Sequence, residues 1–122
     1  MADQTLQKNT TILSDVKKGL NGLDPSDTSF DDEIIMHINT EFFKLNQIGV
    51  GPKTPYHIED GTETWSDFTS KIEYLFAVKT YMIAAVRLRF DPPTNSTLYK
   101  AVENTKDEYE FRLMNAKPDW RE

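Results

Sequence analysis

A chain of 122 residues with 38% hydrophobic and 28% charged side chains has enough material for one modest core, too little for two, and is too apolar to be disordered. Its formal charge of −6 excludes a DNA-binding domain held by its own electrostatics, because phosphate contacts need clustered Lys and Arg. Cysteine is absent, which excludes disulfides and thiolate metal sites, and the start carries no basic region followed by an apolar run, so a protein made and kept in a reducing cytoplasm is expected.

Residues 1–9 are polar and read as a mobile N-terminus. From Thr11 to Leu20 the apolar positions Ile12, Leu13, Val16 and Leu20 predict a short first helix, which Gly19 or Gly22 can end. The second helix is predicted over 29–48, with Asp27, Thr28 or Ser29 as cap and a capping-box-like Ser29–Asp32 pair. Asp31, Asp32 and Glu33 place negative charge at the positive end of its dipole, and Ile34, Ile35, Ile38, Phe42, Leu45 and Ile48 form its ridge. Gly49-Val50-Gly51-Pro52 terminates it. Tyr56-His57-Ile58-Glu59 then alternates like a strand before the Asp60-Gly61 turn signal, so 52–64 is expected to be an extended loop or small hairpin that projects from the body. One helical turn follows at Thr64–Phe68.

Ile72–Phe90 is the longest apolar segment, stopped by Asp91-Pro92-Pro93. Ile72, Phe76, Lys79, Ile83, Val86 and Phe90 form one helical stripe; Leu75, Val78, Met82, Ala85 and Leu88 form another. A helix apolar around most of its circumference is expected at the centre of the domain, and truncating Phe76 or Phe90 is expected to cost about 3–5 kcal/mol. Glu73, Lys79, Arg87 and Arg89 interrupt it too often for a membrane span. Asn95 or Ser96 caps a last helix over Thr97–Ala116, whose stripe is Leu98, Val102, Tyr109, Leu113 and Ala116 and whose Glu108–Arg112 and Lys106–Glu110 pairs are spaced i,i+4. The fold class expected is mainly α, a small four-helix bundle-like domain with a projecting loop or short β-hairpin. It spans 1–122 as a single domain with a C-terminal tail at 117–122.

Chemistry is hard to find. His37 and Glu41 stand four apart on a helix, but no second histidine or HExxH pattern joins them. Gly49–Thr54 lacks the GxxxxGK[ST] spacing of a phosphate loop, and Pro52 removes an amide there. Asp24–Thr28 lacks the central Gly and terminal Glu of a calcium loop. No catalytic, cofactor-binding or metal-binding residue is assigned, and an enzyme is not expected. What remains is an interaction protein that holds aromatics away from its core. Trp65 and Phe68 are expected to pack against the bundle, whereas Phe111 and the terminal Trp120 are expected to stay exposed and anchor a partner.

Five blocks carry a family resemblance: Thr11–Leu20, Asp27–Asn39, Leu45–Pro52, Asp60–Phe68 and Val78–Pro93. In order and spacing, over about residues 11–116, they resemble the head–tail connector (adaptor) proteins of long-tailed bacteriophages. The resemblance implies a homo-oligomeric ring of about twelve copies that joins the portal vertex of the phage head to a stopper or tail-completion protein and extends the DNA channel. DNA would pass through without specific binding, and the protein would reside in the virion neck. It places portal binding in the C-terminal segment, here Tyr109, Phe111, Lys117, Trp120 and Arg121. Lys53, Tyr56, His57, Ile58, Glu59 and Asp60 are the candidates for inter-subunit or downstream contact. A small cytoplasmic adaptor or regulator is the alternative expectation.

Overall fold

The computed structural model describes residues 10–20, 22–116 and 120. Among them stand five helices: α1 (Ile12–Lys18), α2 (Asp31–Gln47), α3 (Trp65–Phe68), α4 (Ile72–Phe90) and α5 (Ser96–Met114). The domain is mainly helical, as the periodicities require, and α4 lies at its centre: α1, α2, α3 and α5 all pack on it, α5 most extensively as its antiparallel partner.

Each helix starts for a local reason. Thr11 caps α1 by accepting the Ser14 amide, and Asn95 caps α5 by accepting the Leu98 amide. α2 departs from expectation. It begins at Asp31 with Phe30 as its N-cap and no side-chain cap, so the Ser29–Asp32 capping box does not form. The local turn takes Ser29 instead, whose amide donates to Asp27 at 2.8 Å. The acidic first turn Asp31-Asp32-Glu33 remains to offset the helix dipole. After α2 the chain reverses through Gly49 and Gly51, at φ +89° and +92°. A side chain at Gly51 would also run into the Phe68 ring, 2.6 Å from where its Cβ would stand.

The core is one cluster that joins Ile12 and Val16 of α1, Ile34, Ile38, Phe42 and Leu45 of α2, Trp65 and Phe68 of α3, and Val78, Met82 and Val86 of α4. Burial of each such side chain stabilises the fold by about 1.5–3 kcal/mol. Trp65 and Phe68 pack inward, as expected.

Three buried polar junctions lock the helices to one another. Glu41 of α2 accepts from Tyr81 Oη and from Arg89 Nε of α4, both at 2.6 Å. Lys17 of α1 donates to the Asp31 carboxylate at 2.7 Å and to the Asp27 carbonyl at 2.8 Å, which pins the approach to α2. Asp15 of α1 accepts from Trp65 Nε1 at 2.8 Å and from Thr10 at 2.6 Å, and lies 3.4 Å from Lys79. Glu41, Lys17 and Asp15 each meet their partners there, which offsets their desolvation.

The first stripe on α4 is buried only in part, at Val86, whereas most of the second is buried. Leu75, Val78, Met82 and Ala85 are buried; Phe76 is 72% exposed and Ile72 is also exposed. Phe76 therefore does not belong to the core, and its truncation does not carry a core cost. Phe90 is half-buried, edge-on to Phe30 at 5.5 Å.

Candidate functional site

Depressions among the described residues are shallow and mostly apolar, so the candidate site is read from exposed surface. Among the described residues no group of three or more His, Asp and Glu is placed to hold a metal, and no helix is long and apolar enough to cross a membrane. His37 and Glu41 have separate partners: Glu41 faces Tyr81 and Arg89, and His37 lies 3.5 Å from Glu33.

The 52–64 segment forms no hairpin. Its one ladder contact among the described residues is an isolated bridge from Thr64 to Thr11. Asn39 of α2 clasps Ile58 at both backbone groups, accepting its amide and donating to its carbonyl at 2.8 Å each, and the Ile58 side chain is buried. Two rings grip Tyr56, Phe42 at 5.1 Å and Phe68 at 5.6 Å. Burial, then the nearby Asp67 and Glu63 carboxylates, push the Tyr56 phenol up to about 12. Of the six contact candidates in this loop, Ile58 is core and Tyr56 half-core. Lys53, His57, Glu59 and Asp60 remain exposed. Asp60 is held by the Thr62 hydroxyl and amide, which lower its pKa, and its role is to shape the turn.

The C-terminal candidates divide similarly. Trp120 is only 8% exposed: its ring packs on Tyr74 at 4.8 Å and Phe68 at 6.4 Å, and its Nε1 donates to the Leu113 carbonyl at 3.2 Å. The expectation of an exposed terminal tryptophan is corrected by this contact with the start of α4, which lies far away in sequence. Tyr109 is half-buried, with the Arg112 guanidinium 5.9 Å from its ring centroid. Phe111 is 67% exposed, as expected. Lys117 and Arg121 lie outside the described residues.

Other exposed apolar residues were not singled out by sequence reasoning. Met36 and Phe43 on α2 are 57% and 55% exposed, and they line one shallow depression with Asp32, Ile35, Asn39 and Thr40. At 100° per residue this stripe lies opposite the Ile34–Ile38–Phe42–Leu45 ridge. The signal for it was a second set of apolar residues spaced by seven. On the other side of the molecule, α1, α4 and α5 enclose a groove of about 290 Å³ with apolar walls at Ile83, Ala84 and Val102. Arg87 lines it, and its buried Nε makes no hydrogen bond.

The decisive comparison is with protein families. The phage connector protein model matches residues 12–119. The chain belongs to the phage connector family. No curated protein and no solved structure matches it. Membership makes it a structural connector of the phage particle, a virion component that contacts other head or tail proteins. The family is a structural one, in keeping with surfaces rather than a catalytic cleft.

Proposed function

We propose that this connector assembles as a homo-oligomeric ring that docks beneath the portal, extends the DNA channel and presents a platform to a stopper or tail-completion protein. The observation that carries this reading is the set of large apolar side chains that a member of a connector family leaves uncovered: Met36, Phe43, Ile72, Phe76 and Phe111. Met36 and Phe43 share one exposed apolar depression, the kind of surface that another chain can cover. The net charge of −6 supports a channel lining that repels phosphate and lets duplex slide.

On this reading the portal-facing surface lies at the C-terminal end of α5, with Phe111 as its apolar contact and Lys117 and Arg121 following. Trp120 has another part: it ties the tail back to Tyr74 and sets where that end sits. Lys53, His57, Glu59 and Asp60 are the loop positions open to downstream contact. The chain acts by assembly and not by catalysis. Electron microscopy of the purified chain with portal tests this. A ring coaxial with the portal is expected, and Phe111→Ser, a surface change that leaves the fold intact, is expected to weaken its attachment. A chain that never joins portal would refute the reading.

A further inference from the structure

We propose that neighbouring copies join head to tail, with the outer stripe of α2 in one copy seated antiparallel along the groove face of α4 in the next. This rests on the ring reading above and names its interface.

The argument begins from register. On α2 the outer stripe carries Asp32, Met36 and Phe43, at spacings of four and seven residues. On α4 the face turned away from the Leu75–Val78–Met82–Ala85 core carries Arg87, Ile83 and Phe76, at spacings of four and seven in the opposite chain direction. At 1.5 Å per residue both triplets place their members about 6 Å and then about 10 Å apart along the axis. Antiparallel apposition therefore brings Asp32 to Arg87, Met36 to Ile83 and Phe43 to Phe76 at once.

Charge complementarity selects the occupant. Arg87 has a buried Nε with no hydrogen bond, and neither it nor the exposed Asp32 forms an ion pair among the described residues. The other cations of α4 are engaged: Lys79 with Asp15 and Arg89 with Glu41. A carboxylate set beside the half-exposed Arg87 at an apolar groove gives its guanidinium the counter-charge that no described residue of the protomer supplies. The remaining contacts are a flexible thioether against Ile83 and a ring against a ring.

Symmetry agrees. Each stripe faces away from the α2–α4 contact within its own protomer, so the two cannot meet inside one chain. Two different surfaces on one chain make a heterologous contact, which gives a ring where the rotation between neighbours closes.

The cysteine-free sequence makes the test clean. Phe43→Cys and Phe76→Cys are both exposed substitutions. The double variant, assembled and treated with a short bifunctional thiol cross-linker, should give a ladder of covalent oligomers on a denaturing gel. Each single variant alone should stay monomeric, and a mixture of the two should stop at dimers. Asp32→Lys should raise the concentration needed for half-assembly by about tenfold or more, and Arg87→Glu in the same chain should restore it. Rings without the ladder, or cross-linking by a single variant alone, would overturn this interface and leave the ring reading standing. Wild-type chain that forms no ring, alone or on portal, would overturn both.

Discussion

The interior and the outer faces of α2 and α4 treat their side chains in opposite ways. Inside, Glu41, Lys17 and Asp15 each hold partners at 2.6–2.8 Å, and Ile34, Ile38, Phe42 and Leu45 of α2 are fully covered. Outside, Met36, Phe43 and Phe76 stand uncovered on the same two helices, and the half-exposed Arg87 has no ion pair among the described residues. The same helix types and the same residue types thus serve two ends. A side chain in the first region stabilises the protomer; one in the second is, on the proposed reading, open to a neighbour.

The contrast can be broken by substitution. Phe42→Ala, in the interior, should cost about 3–5 kcal/mol in urea or thermal unfolding, a large share of the stability of a domain of this size. Trp120→Ala should cost about 3 kcal/mol by the same measurement, because its ring is packed on Tyr74 and Phe68. An unchanged melting curve would return Trp120 to the class of free anchors. Tyr81→Phe removes one of the two groups on a buried carboxylate and should cost about 1–3 kcal/mol.

Alkaline pH sharpens the same point. Burial pushes the Tyr56 phenol up to about 12, and burial with the Glu41 hydrogen bond raises that of Tyr81 above its ordinary value of 10.0. Both folded-state values exceed the unfolded one, so this stability is fully present below pH 10 and drains as pH rises towards about 12. Unfolding followed from pH 9 to 12 should show that loss, and Tyr56→Phe should reduce it. At the bottom of the scale stands Phe76→Ala. It should move protomer stability by no more than about 0.5 kcal/mol while impairing assembly.

Much of the fold was legible in the sequence. α4 ends where Asp91-Pro92-Pro93 stops its apolar run, Asn95 caps α5, and the Trp65–Phe68 turn packs inward. Helical spacing and chain-breaking residues are local, and local signals survive folding. The misreadings share another cause. Periodicity reports that Phe76 lies on an apolar stripe, but not whether the domain has an element left to cover that stripe. Trp120 sits past a proline near the end, and nothing nearby in sequence announces that Tyr74 and the Leu113 carbonyl will receive it. The strand-like alternation of Tyr56 to Glu59 was real, but Asn39 of α2 supplies the hydrogen bonds that a partner strand would have given. The exposure of Phe111 was legible in the sequence; the apolar stripe on α2 was not, because a longer ridge on the same helix hid it.

The central claim is that this member of the connector family works as a ring on the portal. Electron microscopy of the chain mixed with portal, with class averages taken down the channel axis, tests it most directly. A closed ring of protomers, coaxial with the portal and open at its centre, is expected. Portal particles that remain bare, beside a chain that stays monomeric at every concentration, would contradict it.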